Sequence, residues 1–305
     1  MKLTSENFDK VSNFIKTNAR NLDKHLYAFY FESGSADKVL LELSKYQNDD
    51  GGFGHGLEPD FVTQSSSAIA TTAAMQYLEK LETPKANAVL KKAMDYFANS
   101  FSEEHQRWRP VPDDVNNLPH APWWHINEKS GMCAIDQNWD NPTVEILGFL
   151  YKYPNSFPTL KLEELTLRAV ERLQSNANIT ERSLYCYQVL YINLSDSFKA
   201  QIKPKLFELI RATVNTNVDD WREKYVPKPL NFVDGPESPF YNFLRDSVHR
   251  NLDFLINTLD ANEAWFPTWS WGQYEKDWEK AKIEWAGKIA VENLVILNKF
   301  SKLKI

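Results

Sequence analysis

The sequence predicts an all-α fold in which amphipathic helices alternate with helices that are apolar on nearly all sides. Helical spacing of apolar residues recurs in almost every segment, and two-residue alternation is nearly absent. Amphipathic segments such as 160–174 alternate with uniformly apolar ones such as 183–194, which is typical of outer and buried inner helices. Five or six helical hairpins of this kind are expected to form a double ring of helices, in a single domain over residues 1–305.

Residues that favour helix starts mark several of these elements. A helix is expected from Ser35, which is a good N-cap. Thr83 followed by Pro84, and Asn141 followed by Pro142, have the pattern of an N-cap with proline in the first turn. Further helices are expected at 63–81, 160–174, 183–194, 196–214, 238–259 and 284–300.

Composition and charge exclude some classes of protein. The net charge is -6 and Lys and Arg are not clustered, which argues against nucleic acid as the main partner. The first residues lack the apolar run of a signal peptide, and no segment approaches eighteen apolar residues, so we expect no membrane insertion and a cytoplasmic location. Cys133 and Cys186 are too few for a disulfide framework or a cysteine zinc site, and both are expected to be reduced. The oligomeric state stays open.

The stretch KYQNDDGGFGHGLEPDF, residues 45–61, contains four of the ten glycines within six positions. Glycine adopts positive φ at little cost, so the chain is expected to turn tightly here, from an outer helix that ends near Tyr46 into an inner helix. Gln47 is expected to bind free backbone groups at this junction, and Phe53 to fill it.

Part of this stretch, QNDDGGFG, resembles the Q-x-x-D-G-G-F/W-G signature of prenyltransferase and squalene-cyclase repeats. A weaker likeness lies in WFPTWSWGQYEKDWEKAKIEWAGKIAVENLVIL, where tryptophans precede an inner-type helix. The resemblance implies an α/α toroid, an inner barrel of helices inside an outer one, with a central cavity. It does not imply the reaction, because the D-x-D-D acid of the cyclases is absent and neither cysteine matches the zinc pattern of protein prenyltransferases.

One further motif, D-D-x-x-E, is formed by Asp219, Asp220 and Glu223, and resembles the metal-diphosphate motif of another class of terpene synthases. Its spacing places Asp219 and Glu223 on one helical face, which would suit shared magnesium. Acidic residues in a first turn also stabilise a helix through its dipole, and this explanation is favoured. No metal or cofactor is therefore predicted.

Three loops rich in proline and aromatic residues, 107–141, 226–240 and 263–273, are expected to surround the cavity mouth. Tryptophans with a few histidines and carboxylates could stack on sugars, stabilise a carbocation or hold another large apolar ligand. The residues predicted to bind a small-molecule ligand in the cavity are Asp113, Asp114, His120, Trp123, Trp124, His125, Glu145, Trp269 and Trp271.

The predicted catalytic residues are His55, Glu58 and Asp60. His55 could be a general base or a turn histidine. Glu58 and Asp60 could be an acid and base pair or a cap of the following helix.

The ligand-binding residues also have structural alternatives. The tryptophans could pack between hairpins. The spacing of His120 and His125 is not a metal motif. Glu145 near a helix start could compensate the dipole or face the cavity. Glu284, Lys288 and Glu292 could pair along one face or form a solvated stripe.

Two hypotheses about function follow. The first is a toroid-fold enzyme that acts on an elongated isoprenoid or saccharide in an acidic, tryptophan-lined cavity, as a lyase, cyclase or glycoside hydrolase. The second is a non-catalytic binding or scaffold protein of the same fold. The enzyme predicts that carboxylates and imidazoles converge in a pocket, and the scaffold predicts that they point apart or into ion pairs.

Overall fold

A computed structural model describes residues 1–85, 87–176, 178–259 and 263–304. Their secondary structure consists of thirteen α-helices and three short 3-10 helices, and pairing between extended segments of these residues is limited to isolated bridges. The all-α prediction is thereby confirmed. No helix in the described part is long and apolar enough to cross a membrane.

The helices, in chain order, are α1 Ser5–Asn18, α2 Asn21–Phe31, α3 Ala36–Ser44, α4 Ala68–Lys80, α5 Ala88–Asn99, α6 Thr143–Lys152, α7 Thr159–Ser175, α8 Glu181–Asn193, α9 Asp196–Thr213, α10 Val218–Glu223, α11 Pro229–Phe232, α12 Tyr241–Thr258 and α13 Glu275–Lys299. Contacts divide the chain into two compact units. Unit 1 comprises Met1–Glu42, Arg211–Trp271 and Glu275–Ile305, and unit 2 comprises Leu43–Ile210 and Gly272–Tyr274. The single domain over residues 1–305 stays a prediction.

Unit 2 contains the predicted alternation of buried and amphipathic helices. The first eight residues of α4 are buried, and the next, Gln76, is exposed. Helix α6 is buried from Thr143 to Leu150 and packs against α8. Gly148 permits this approach, since a Cβ there would lie 2.9 Å from the backbone of Val189 and Leu190. The helices α5 and α7, in contrast, each bury a single stripe.

Unit 1 is built on α13, which packs against α1 and α2. Gly287 of α13 meets Ala19, which follows α1, so closely that a Cβ at position 287 would lie 2.6 Å from the Ala19 Cβ. Helix α12 packs against α10 and α11, and Trp221 of α10 is fully buried. The sequence patterns did not predict α1 and α2, although Thr4 caps α1 by accepting from the Asn7 amide.

Several predicted helix starts are wrong, and the largest error is in α13, which begins at Glu275 rather than at 284. Helix α4 begins at Ala68 and is capped by Ser67, because residues 63–67 form bends and an isolated bridge that belong to the preceding loop. Helix α5 begins at Ala88 because the Asn87 side chain accepts the free amides of Val89 and Leu90, so neither Thr83 nor Pro84 starts it. Helix α6 begins at Thr143, with Pro142 rather than Asn141 in the N-cap position.

Candidate functional site

The loop between α3 and α4, residues 45–67, is held by the residues of the glycine-rich motif. We call it the glycine loop. The Gln47 side-chain amide donates to the carbonyl oxygens of Gly51 at 2.9 Å and Val89 at 3.0 Å. Phe53 is fully buried. Both predictions for these residues are confirmed. The reversal is not tight, because the loop extends from Lys45 to Ser67 before α4 begins.

Polar side chains join the two ends of the glycine loop. Asn48 donates to Gln64 O at 3.0 Å and to Ser66 Oγ at 2.9 Å. Asp50 accepts from Ser66 Oγ at 2.7 Å and from the Gly52 amide at 2.9 Å. These bonds account structurally for Asn48 and Asp50 of the motif, because each satisfies a group that fixes the loop path.

The three residues predicted to be catalytic lie in this loop in different surroundings. His55 is exposed, has a φ of 54°, and its Nε2 lies 2.8 Å from Asn48 Oδ1. Glu58 is half-buried and Asp60 is buried. The position of His55 agrees with its reading as a turn histidine, and the acid and base roles of the three residues stay predictions.

Two aspartates of the 107–141 loop engage partners at the surface of unit 2. Asp113 is exposed and forms an ion pair with Arg109 at 2.6 Å. Asp114 accepts from Thr63 Oγ1 at 3.0 Å and from Ser65 Oγ at 2.7 Å. Asp114 therefore holds the end of the glycine loop against the longer loop.

His120 and His125 form a stacked pair. His120 is buried, and its Nδ1 lies 2.6 Å from Leu118 O. The carbonyl oxygen only accepts, so Nδ1 carries a proton, and in neutral His120 the Nε2 accepts from His125 Nδ1 at 3.0 Å. Tyr274 packs on the His120 ring at 5.6 Å, and Gln273 donates to His120 O at 2.8 Å.

The glycine loop and the 107–141 loop meet beside this histidine pair. Phe61 and His120 form an isolated antiparallel bridge, and the Ala121 amide donates to Asp60 O at 2.8 Å. The structure thus brings the backbone of Asp60 next to the His120–His125 pair.

The four predicted tryptophans differ in exposure. Trp124 is buried and contacts Phe61 edge-on at 5.6 Å, and Trp271 is buried against Trp278 at 5.7 Å, as expected for packing residues. Trp123 and Trp269 are half-buried. Trp269 and Trp271 belong to unit 1, whereas the other predicted site residues belong to unit 2.

Glu145 has the most unusual chemistry of the predicted residues. It lies in the first turn of α6, is 8% exposed, and accepts from the Gln76 amide of α4 at 3.0 Å. Burial raises the pKa of its carboxyl to about 7, the charge of Glu79 adds to the rise, and hydrogen bonds from Gln76 and Thr72 oppose it. Glu145 can therefore exchange a proton near neutral pH.

A second carboxylate, Glu79 of α4, lies near Glu145 of α6. Glu79 accepts from Lys152 Nζ at 2.8 Å, and Tyr153 OH lies 3.5 Å away. Burial raises the pKa of the Cys186 thiol on α8, and the charge of Glu145 raises it further by a smaller amount. The thiol therefore stays neutral. We call Thr72, Gln76, Glu79, Glu145 and Lys152 the α4–α6 cluster.

Most of the α4–α6 cluster was missed by sequence reasoning, which selected only Glu145. Gln76 carried a usable signal. It is a long polar side chain that follows eight apolar or small residues of α4, where such a side chain is expected to have a polar partner.

The D-D-x-x-E motif forms the six-residue helix α10. Asp220 pairs with Lys224 at 2.7 Å and accepts from Asn215 at 2.9 Å, and the bond from Lys224 lowers its pKa. Asp219 and Glu223 line a groove of about 570 Å³ with Arg222 and Arg250. The described residues contain no group of three His, Cys, Asp or Glu side chains arranged to hold a metal ion.

Comparison of this chain with protein-family models, curated proteins and solved structures found no match.

Proposed function

We propose that this protein is an acid–base enzyme in which the α4–α6 cluster acts on an elongated small molecule. The observation that carries the proposal is the buried Glu145 carboxyl, whose pKa is raised to about 7 and which is hydrogen-bonded to Gln76. A carboxyl that titrates near the working pH is suited to general acid or base catalysis. Glu145 is therefore assigned the proton-transfer role, ahead of His55.

Glu79 supports this assignment because it differs in environment from Glu145. Glu145 has a neutral amide as its partner, while Glu79 has the Lys152 ammonium at 2.8 Å. Two nearby carboxyl groups in unlike surroundings form the usual arrangement of an acid and an anionic partner. In glycoside hydrolysis, the acid protonates the leaving oxygen and the carboxylate activates a water or attacks the sugar.

The polar groups around Glu145 favour a saccharide over an isoprenoid. Gln76 is exposed and has an amide that can bond to hydroxyl groups, and Thr72 adds a hydroxyl beside it. An isoprenoid chain would remove these groups from water without replacing their hydrogen bonds. The proposed reaction is therefore hydrolysis or lysis of a glycosidic bond.

The α/α toroid and the cytoplasmic location are also part of this proposal. The α/α toroid implied by the glycine-loop motif is supported by the alternation of buried α4 and α6 with amphipathic α5 and α7, whereas α8 buries only about half of its residues. A cytoplasmic location is consistent with two cysteines that are buried and unpaired.

A second candidate function is a scaffold or binding protein without chemistry. It is favoured by the contacts of predicted site residues that serve loop structure: Asp113 with Arg109, Asp114 with Thr63 and Ser65, and His55 with Asn48. In this alternative the α4–α6 cluster only joins two helices.

Turnover of defined substrates distinguishes the two functions. A panel of nitrophenyl glycosides and soluble polysaccharides is assayed with wild type, Glu145→Gln and the control Glu171→Gln, whose side chain is exposed on α7. The enzyme predicts that at least one substrate is cleaved, with kcat/KM reduced at least about 100-fold in Glu145→Gln and unchanged in the control. Equal turnover by Glu145→Gln, or no cleavage across the panel, would favour the scaffold.

A further inference from the structure

Three aromatic side chains of unit 1 form a half-exposed group that we call the aromatic face: Tyr225, Trp269 and Trp285. Trp269 is central and contacts Trp285 at 5.2 Å and Tyr225 at 5.7 Å between ring centroids, both edge-to-face. Tyr225 is 44% exposed, and both tryptophans are half-buried. Aromatic rings used only for packing are generally covered more completely, as Trp221 and Trp271 are in the same unit.

A charged pair borders this face. Lys288 lies one turn after Glu284 on α13, its Nζ is 5.6 Å from the Trp285 ring centroid, and it pairs with Glu292 at 2.6 Å. Only 12% of the Lys288 side chain is exposed. Burial raises the pKa of the Glu284 carboxyl. The predicted stripe on α13 is thus partly covered and lies against aromatic rings, rather than being fully solvated.

One donor of the aromatic face has no acceptor. The Trp269 Nε1–H is shielded from solvent and makes no hydrogen bond within the described residues. An indole N–H in such a position usually has a partner, because leaving a shielded donor unpaired costs free energy. Because this N–H is shielded, a ligand oxygen can bind it only if the surrounding side chains move aside on binding.

We propose that the aromatic face and the Lys288–Glu292 pair form a saccharide-binding site in unit 1. The apolar C–H faces of a sugar ring pack on half-exposed indole and phenol rings, while its hydroxyl groups can both donate and accept. They therefore match an ammonium and a carboxylate together. An isoprenoid would match the rings but would bury the Lys288–Glu292 charges without new hydrogen bonds, which is unfavourable.

This site uses residues of unit 1 only and is tested by binding. The result is therefore independent of whether Glu145 is catalytic. Hexasaccharides of glucose, xylose and N-acetylglucosamine are titrated into the full-length protein by calorimetry and tryptophan fluorescence. Farnesol serves as the isoprenoid probe. The variants are Trp285→Ala, Trp269→Phe and Lys288→Met, and the control is Phe266→Ala, whose ring packs on Phe14. Circular dichroism confirms folding.

We expect at least one hexasaccharide to bind wild type, with Kd raised at least tenfold by Trp285→Ala and about threefold by Trp269→Phe and Lys288→Met. Phe266→Ala should bind as wild type does. The two milder variants keep the test decisive should Trp285→Ala fail to fold. Binding that is unchanged in all three variants, binding of farnesol alone, or no binding by wild type would overturn the proposal.

Discussion

The Gln76 side chain on α4 donates to Glu145 Oε1 on α6 across 3.0 Å, between residues that are 69 positions apart in the chain. Both belong to largely buried helices, and Gln76 is exposed although its neighbours along α4 are buried. The Glu145 carboxyl is largely desolvated by burial, and the hydrogen bond from Gln76 orients it. Burying a carboxyl whose hydrogen-bond partners are the neutral side chains of Gln76 and Thr72 does not stabilise the protein, so this position is best explained by function.

Replacing Glu145 by glutamine should change how stability depends on pH. The folded pKa of Glu145, about 7, lies above its ordinary value of 4.5. The contribution of Glu145 to the free energy of unfolding is therefore complete below pH 4.5 and is lost as the pH rises toward 7. As the pH rises from 4.5 to 8, we expect the free energy of unfolding of Glu145→Gln to increase by about 3 kcal/mol relative to that of wild type. This is the value that corresponds to the raised pKa of Glu145.

Urea unfolding at pH 4.5, 6 and 8 measures this difference, and Glu171→Gln, at an exposed site, is the control. A difference between wild type and Glu145→Gln that does not vary with pH would show that the carboxyl titrates normally.

Gly148 allows α6 to approach α8, and alanine there should disturb the helix that carries Glu145. The added Cβ would lie 2.9 Å from backbone atoms of Val189 and Leu190, which cannot move independently. We expect Gly148→Ala to lower the free energy of unfolding by about 1–3 kcal/mol. Gly235→Ala is the control, because its nearest neighbour is the flexible Lys299 side chain, and we expect about 0.5 kcal/mol or less. Equal effects in the two variants would contradict the close packing of α6 on α8.

The Gln47 amide fixes the glycine loop, and its removal should leave the carbonyl groups of Gly51 and Val89 without that donor. We expect Gln47→Ala to lower the free energy of unfolding by about 1–3 kcal/mol, measured by urea denaturation. Gln64→Ala, which truncates an exposed side chain in the same loop, should have little effect. A stability loss confined to Gln64→Ala would refute this role of Gln47.

Both thiols should be unreactive in the folded protein. Burial raises the pKa of Cys133 to about 12 and that of Cys186 well above its usual value, so little thiolate is present at pH 8. With a chromogenic disulfide reagent we expect no labelling within minutes in native buffer and two thiols per chain in urea. Rapid labelling of either cysteine in native protein would mean that it is accessible.

The sequence predicted helix type more reliably than helix boundaries. Apolar periodicity identified α4, α7, α8 and α12 because burial imposes a repeated pattern over many residues. The start of α5 was wrong because a single Asn87 side chain outcompetes the equally plausible Thr83 and Pro84, and only the folded backbone decides between such caps.

Only part of the candidate site could be predicted from the sequence. Gln47 and Phe53 were assigned correctly because their roles are local to one loop. Glu145 was selected, but its partners Gln76 and Glu79 were not, since helical spacing indicates which residues share a face and not which helix that face meets. The unusual pKa of Glu145 follows from that tertiary contact.

The most direct test of the acid–base account is the titration of Glu145 itself. Protein with 13C-labelled glutamate side chains is followed by NMR from pH 3 to pH 9, and the Glu145 signal is assigned by its loss in Glu145→Gln. The account predicts an inflection near pH 7 for this carboxyl. An inflection near the ordinary value of 4.5 would mean that Glu145 is hydrated and ionised at neutral pH, and would contradict its role as the proton donor.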